Sequence, residues 1–231
     1  MEVSNGATPP ALRLKHTLGT HCHGGTALLL GEDKVLHCTG RWLVEQQITG
    51  VGLPRTAIVH EMAGGSRLTS LCAAPNGKFI AVCDQREPAH PSEVSPPPQL
   101  RVVHVQSRRP VCVLTAALEG ALIGCSFSAD TKQVLAYSGE PNHMVVVWQW
   151  AEERPVGMYR SRTPLQRVLF NPWIGSLISL HNPMRLARLN EQGRFKEVEV
   201  AALKRYGATA VDHCWLAAKV CEVNLSLRAD S

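Results

Sequence analysis

The sequence predicts an all-β fold made of repeated four-stranded sheets, and three observations lead to that prediction. A phrase of apolar run, tight turn and second apolar run recurs as CAAPNGKFIAVCD, CSFSADTKQVLAYSG and VLFNPWIGSLISLHN. The runs are short and rich in Val, Ile, Leu and aromatic residues, which favour strands. No long stretch has the 3.6-residue period of a helix.

The repeat has a regular length. The residue after each turn is Lys34, Lys78, Lys132 and Gly175, at steps of 44, 54 and 43 residues. The long middle step contains REPAHPSEVSPPPQ, residues 86–99, whose prolines lack the amide that a strand ladder needs. We interpret that stretch as a loop inserted in one repeat. Four strands in about 40 to 45 residues are typical of a WD-type β-propeller blade.

The sixteen predicted strands fall into four blades. The predicted strands are 26–30, 35–38, 42–47 and 56–60; 68–73, 79–83, 100–105 and 111–114; 122–127, 133–137, 144–150 and 156–159; 165–170, 177–180, 185–189 and 195–200. The corresponding blades cover about 25–65, 66–119, 120–162 and 163–206, and 207–216 begins a fifth. Within blade 2, Asn76-Gly77 is a strong hairpin signal, because both residues accept a positive φ.

The WD signature itself is degenerate. MVVVWQW places Trp148 near the usual Trp-Asp position, but no Asp follows it. A Gly-His pair at the blade starts is also missing, and His21 and His60 are poor substitutes. The pattern therefore predicts a WD-type propeller through its period more than through its motif.

The two ends of the chain differ from the blades. Residues 1–24 are predicted to be disordered or irregular, and 217–231 form an atypical tail. About four blades with the start of a fifth make an incomplete ring, which leaves open sheet faces and edges. The expectation at this point is an N-terminal fragment or a truncated gene product.

Charge and cysteine usage limit the partners. The net charge of +5 is scattered in ones and twos, whereas nucleic-acid binders cluster it on one face. No apolar run reaches the length of a membrane helix, and the N-terminus does not resemble a secretory signal. The eight cysteines include no C-x-x-C pair, which favours free thiols in a reducing compartment. We expect neither nucleic-acid nor membrane binding.

Candidate chemical sites are few. The run His21-Cys22-His23 suggests a metal site, but His37-Cys38 and His213-Cys214 would have to fold beside it to complete a ligand set. Cys72 and Cys125 lie in predicted inner strands, where thiols pack. No phosphate-binding glycine loop occurs. These observations predict no metal, no cofactor, no catalytic residue and hence no enzyme.

Five tryptophans could serve as interface anchors. We predict blade-core positions for Trp148 and Trp215, and leave Trp42 and Trp150 unassigned. Trp173 lies in the turn NPWIG, where an indole would face solvent. Trp173 is therefore the candidate partner contact, with packing on a neighbouring loop as the alternative.

The order of the phrases resembles the N-terminal propeller of the cilia- and flagella-associated protein 57 family, axonemal WD-repeat proteins with two propellers and a coiled coil. The similar phrases span residues 25–217, from SLCAAPNGKFIAVCDQ and QLRVVHVQSRRPVCVL through IGCSFSADTKQVLAYSGEPNHMVVVWQW to RLARLNEQGRFKEVEV and DHCWLA. No second propeller or coiled coil is present in this chain. The resemblance implies a scaffold for protein–protein interaction in the axoneme of cilia or flagella, attaching or regulating dynein arms on doublet microtubules.

Three alternatives remain open from the sequence. The first is a general cytosolic WD adaptor, for example a ubiquitin-ligase scaffold. The second is a truncated product without an independent role. The third is a Cys/His hydrolase or metal enzyme, which bound zinc or a cysteine of low pKa would support.

Overall fold

The structure, a computed structural model, describes residues 27–48, 55–62, 66–86, 90, 96–115, 118, 120–181, 183–201, 203 and 215. Sixteen strands and one 3₁₀ turn, Trp150–Glu152, are assigned in this part of the chain. The strands form four antiparallel four-stranded sheets. The predicted all-β fold of repeated four-stranded sheets is thus confirmed.

Each sheet is a meander of four consecutive strands, called a blade below. Blades 1 and 2 consist of β1 (Ala27–Leu30), β2 (Lys34–Thr39), β3 (Trp42–Gln47), β4 (Thr56–Glu61), β5 (Ser66–Ala73), β6 (Phe79–Arg86), β7 (Gln99–His104) and β8 (Arg109–Thr115). Blades 3 and 4 consist of β9 (Leu122–Phe127), β10 (Gln133–Ser138), β11 (Met144–Gln149), β12 (Arg154–Arg160), β13 (Arg167–Phe170), β14 (Leu177–His181), β15 (Arg185–Leu189) and β16 (Phe195–Val198).

The strand bounds differ from the predicted ones at a few ends. The prediction that the third strand of blade 3 includes Trp150 is wrong, because β11 ends at Gln149 and a 3₁₀ turn begins there. Glu153 then adopts a left-handed conformation with φ of 51° and redirects the chain into β12. In blade 2, β6 continues to Arg86, three residues past its predicted end.

The blades pack face to face, with the first strands β1, β5, β9 and β13 in contact in that order. The side chains of β6 show how one blade packs against two neighbours. Successive residues of a strand point to opposite faces of the sheet. Ile80 and Val82 join the apolar cluster shared with blade 1. Ala81 and Cys83 join the cluster shared with blade 3. Burial of both faces removes apolar surface from water and favours stacking.

Blade 3 packs in the same way between blades 2 and 4. Val134 and Ala136 of β10 face blade 2, whereas Leu135 and Tyr137 face blade 4. All four side chains are at most 5% exposed. Radially stacked meanders with both faces of the inner blades buried are β-propeller-like.

Antiparallel meanders place their turns at two opposite ends, which we call rims. The upper rim carries the turns from first to second and from third to fourth strands, including residues 74–78, 128–132 and 171–176. The lower rim carries the second-to-third turns and the links between blades, including 139–143, 161–166 and 183–184. Blades 3 and 4 thus present short turns on both rims of one scaffold.

Several predicted features lie outside the described residues. They are the irregular segment 1–24, the tail 217–231, the start of a fifth blade at 207–216 except for Trp215, and the His21-Cys22-His23 and His213-Cys214 groups. In the part of the chain that is described, no helix has the length and apolar character of a membrane span.

Candidate functional site

The Trp173 turn on the upper rim has a rigid base. Asn171 follows β13 and is fully buried. Its Oδ1 accepts hydrogen bonds from the backbone amides of Trp173 at 2.8 Å and Ile174 at 2.7 Å. The Leu177 amide closes the turn on the Ile174 carbonyl at 2.8 Å. Asparagine side chains commonly fix turns in this way.

This base presents two apolar side chains to solvent. Trp173 is 48% exposed and its neighbour Ile174 is 37% exposed. Exposed aromatic side chains on a fixed backbone are typical interaction anchors, since little conformational entropy is lost on binding. The assignment of Trp173 as a partner contact stays a prediction, and Ile174 is an addition that the sequence analysis missed.

The other tryptophans hold the scaffold. Trp148 is 2% exposed in the cluster between blades 2 and 3. Trp150 is 9% exposed, and its indole Nε1 donates to the Thr131 carbonyl at 2.6 Å. The Trp150 ring lies 4.9 Å from the Phe79 ring of blade 2. Trp215 packs against the Leu177, Met184 and Leu186 cluster of blade 4.

Trp42 occupies a less buried site on β3. The Arg41 guanidinium lies 5.2 Å from the centre of its ring, within the range of a cation–π contact. Arg41 also pairs with Glu61 of β4 at 2.5 Å. Trp42 is therefore tied to its own blade, which leaves Trp173 as the most exposed of the five in the described residues.

A thiol cluster lies at the interface of blades 2 and 3. The Cys83 thiol donates to the Gly124 carbonyl at 3.9 Å, and the Cys125 thiol donates to the Ala81 carbonyl at 3.7 Å. Burial raises the pKa of Cys72, and the hydrogen bond with Cys125 followed by burial raises the pKa of Cys83. Hydrogen bonds from Cys72 and Cys83 lower the pKa of Cys125.

These thiols sit in the strand positions that the sequence predicted for Cys72 and Cys125. The sequence did not predict that Cys83 joins them, because β6 and β9 belong to different repeats. Histidine, which would activate a thiol as a nucleophile, is not among the described residues that shift the pKa of Cys72, Cys83 or Cys125. In the same part of the chain, no group of three or more His, Cys, Asp or Glu side chains is arranged so that it could hold a metal ion.

One buried ion pair lies between the second and third strands of blade 2. Asp84 is 1% exposed, and Arg101 approaches its Oδ2 with Nη2 at 3.5 Å. The same Nη2 donates to Gln99 at 2.6 Å. The charge of Arg101 also acts on His60 of β4 in blade 1. The pKa of His60 is lowered first by burial and then by this charge. A buried carboxylate needs such a partner to remain charged.

An arginine links blades 3 and 4 on the lower rim. Arg185 of β15 donates through Nη1 to Tyr159 at 3.1 Å and to Glu197 at 2.8 Å. Its Nη2 donates to Ser161 at 2.9 Å and to Thr163 at 2.8 Å. Because these partners lie in the blade 3–4 link and on both outer strands, one guanidinium fixes the junction.

Tyr159 completes this junction as a donor. Its hydroxyl donates to Glu197 at 2.5 Å. Burial, followed by this hydrogen bond, raises the pKa of Tyr159 to about 12. The phenol therefore keeps its proton at neutral pH. No sequence motif marks the network, since Tyr159, Arg185 and Glu197 come from separate strands.

Comparison with known proteins bears on the fold. No family model and no curated protein matches the chain. Among the matching solved structures is a crystal structure of a putative 6-phosphogluconolactonase from Bacteroides uniformis, with a TM-score of 0.57 and 13% identity. The match covers 76% of this chain and 53% of the length of that chain. At this identity the likeness shows a shared β-propeller-like fold.

The prediction that this chain is not an enzyme is wrong. That prediction took a propeller without sequence motifs of catalysis to be a binding platform only. The solved structure that shares the fold is described as an enzyme, so the fold does not separate catalytic from binding propellers. Function has to be argued from sites placed on the fold.

Proposed function

We propose that this chain is a WD-type propeller module that binds protein partners through the Trp173 turn. The observation that carries the proposal is the pair of exposed apolar side chains, Trp173 and Ile174, on a turn fixed by the buried Asn171. A rigid scaffold that presents an aromatic anchor on a rim loop is suited to docking. The WD-type assignment rests on the repeat length near 43 residues.

The proposed setting is the axoneme of cilia or flagella, near dynein arms on doublet microtubules. It is supported by the ordered resemblance to the cilia- and flagella-associated protein 57 family. A general cytosolic WD adaptor is the competing proposal, and the same turn would serve it equally. The two proposals differ in location, which makes location the first observable.

Imaging in ciliated cells tests the setting. The tagged chain is expressed as wild type, as Trp173→Ala and as Val111→Ala, and the cells are extracted with detergent before imaging. Val111 is a matched control, because it is 51% exposed on the outer strand of blade 2. We expect wild type and Val111→Ala to stay on the axoneme, and Trp173→Ala to be lost from it. A uniformly cytosolic wild-type signal would contradict the axonemal proposal.

Photo-crosslinking tests the contact itself. A benzophenone amino acid at position 173 is expected to crosslink to one main protein, and the same probe at position 111 is not. Equal crosslinking at both positions would exclude the Trp173 turn as a specific surface.

The purified chain should also be assayed for hydrolysis of a sugar lactone. The reason is the solved structure that shares the fold and is described as a 6-phosphogluconolactonase. The assay follows loss of 6-phosphogluconolactone above its spontaneous rate, with the purified wild-type chain. Turnover that scales with protein concentration would replace the docking proposal with an enzymatic one.

A further inference from the structure

A cationic groove lies on the lower rim between blades 3 and 4, opposite the Trp173 turn. The groove has a volume of about 580 Å³. The residues that matter for its chemistry are Tyr159, Arg160, Arg162, Pro183, Arg185 and Glu197, and we call this set the arginine groove. It is formed where the end of β12 and the link to β13 meet the turn before β15 and the strand β16.

Two of its three arginines are available for a ligand. Arg185 and Glu197 neutralise each other at 2.8 Å, and Arg185 is only 19% exposed. Arg160 and Arg162 are both exposed. Arg160 makes a long hydrogen bond of 3.4 Å to the neutral Asn142, and no ion pair joins either residue to an acid in the described part of the chain. The groove thus has a surplus of about two positive charges.

The ion pair between Arg185 and Glu197 shows which chemical group the groove can accept. Glu197 places a carboxylate against Arg185 and the Tyr159 hydroxyl. An arginine fork pairs with a carboxylate through two parallel hydrogen bonds, so Arg160 and Arg162 can each hold one further carboxylate. The Tyr159 ring makes a T-shaped contact with Phe195 at 6.0 Å between ring centres, and its hydroxyl is already held by Glu197 and Arg185.

We propose that the arginine groove binds an acidic peptide segment of a protein partner, with two of the segment's carboxylates on Arg160 and Arg162. This proposal shares with the proposed function the assumption that the chain binds protein partners, and it depends on nothing else in it. Its site lies on the opposite rim from Trp173, and its test uses a defined peptide. Failure of the groove test and failure of the Trp173 test are therefore distinguishable.

A fluorescent peptide of eight glutamates is the probe, and its anisotropy is measured with the purified full chain at 50 and 300 mM NaCl. We expect saturable binding that weakens with salt, since exposed charges are screened. Arg160→Gln/Arg162→Gln should bind at least tenfold more weakly. Arg67→Gln/Arg109→Gln is the matched control, because it changes the net charge equally at two exposed arginines of blade 2. It should bind within twofold of wild type.

Further variants sharpen the result. Glu197→Gln removes the acid that competes in the groove, and we expect severalfold tighter binding. If the double variant does not fold, Arg160→Gln and Arg162→Gln singly carry the test, each with a severalfold loss. An equal loss in the blade 2 control, or no loss in the groove variants, would overturn the proposal.

Two competitors decide the class of ligand. Inorganic phosphate at 10 mM should displace little of the peptide, and a 16-base-pair DNA duplex should bind more weakly than the peptide. Full displacement by phosphate would assign the groove to a small anion. Tighter binding of the duplex, lost in the same groove variants, would assign it to a nucleic acid. Either result would overturn the proposal of an acidic peptide.

Discussion

The two rims of this molecule are built from different strand connections and carry different chemistry. On the upper rim, Asn171 fixes a turn that exposes Trp173 and Ile174. On the lower rim, Arg185 fixes a junction whose surface is formed by Arg160 and Arg162. One rim offers apolar surface and the other offers positive charge. Asn171 is buried and Arg185 is half-buried, and in both cases the polar side chain fixes its surroundings while neighbouring side chains face solvent.

The rims therefore differ from the blade faces in what a substitution should change. The blade faces are apolar and shared between neighbours, so a change there should affect both rims together. The rim side chains are exposed, so a change there should affect one rim and leave stability intact. Substitutions in the blade faces and on the rims therefore separate these two classes of residue.

The largest effect is expected from Gly124→Ala in the inner strand of blade 3. A Cβ at this position would lie 2.1 Å from ring atoms of Tyr137, and the Tyr137 hydroxyl is held on the Gln166 carbonyl at 3.1 Å. Overpacking of this kind costs about 3 kcal/mol. Urea unfolding should show the loss, and binding on both rims should decline with it.

Gly175→Ala is the control for that substitution. A Cβ there meets nothing within 4 Å, so the free energy of unfolding should change by less than about 0.5 kcal/mol. If the two alanine variants were equally stable, the close packing of Tyr137 on Gly124 would not hold.

Trp150→Phe should destabilise blade 3 by about 2 kcal/mol, because the Thr131 carbonyl of the same blade loses its indole donor. The aromatic contact with Phe79 is kept in part. Thermal and urea unfolding measure the loss. Trp42→Phe is the control, and its cation–π contact with Arg41 is worth less than about 1 kcal/mol. A larger loss for Trp42→Phe than for Trp150→Phe would contradict the contribution assigned to the hydrogen bond from Trp150 to Thr131.

Two equivalent upper-rim turns should respond in opposite directions. Thr131 has a φ of 63° and Gly77 a φ of 67°, a region that costs an L-residue about 1 to 2 kcal/mol. Thr131→Gly should therefore stabilise the protein by about 0.5 to 1 kcal/mol, and Gly77→Ala should destabilise it by about 1 kcal/mol. A destabilising Thr131→Gly would mean that the threonine side chain contributes more than the strain costs.

The smallest effect is expected from Tyr159 at alkaline pH. Its pKa is raised from 10 to about 12 in the folded protein, so the native state holds this proton longer than the unfolded chain. Stability from this group is complete below pH 10 and is lost as the pH rises through 12. Tyr159→Phe should flatten the decline of unfolding free energy with pH between 10 and 12. An identical pH slope in both proteins would contradict the assigned pKa.

The repeated units were predictable from the sequence because they depend on local patterns. Turn signals such as Asn76-Gly77 and short apolar runs recur at a fixed period, and each run became a strand. The end of β11 was missed, because the 3₁₀ turn at Trp150 depends on a contact with Thr131 in another turn. Trp173 could be chosen because its turn sequence alone indicates exposure.

The arginine groove could not be predicted from local sequence patterns. The arginine groove combines the end of β12 with a turn and a strand of the next blade, and Arg160 and Arg185 are ordinary basic residues in the sequence. The thiol cluster has the same origin, since Cys83 and Cys125 meet only when blades stack. The comparison with solved structures also showed that a propeller fold alone leaves catalysis open.

Co-sedimentation with isolated axonemes tests whether the Trp173 turn docks this protein on a partner. The purified chain is titrated against axonemes as wild type, Trp173→Ala and Val111→Ala, with folding checked by circular dichroism. We predict saturable binding by wild type and Val111→Ala, and at least tenfold weaker binding by a folded Trp173→Ala. Binding that is unchanged by Trp173→Ala, or no saturable binding by wild type, would contradict the claim.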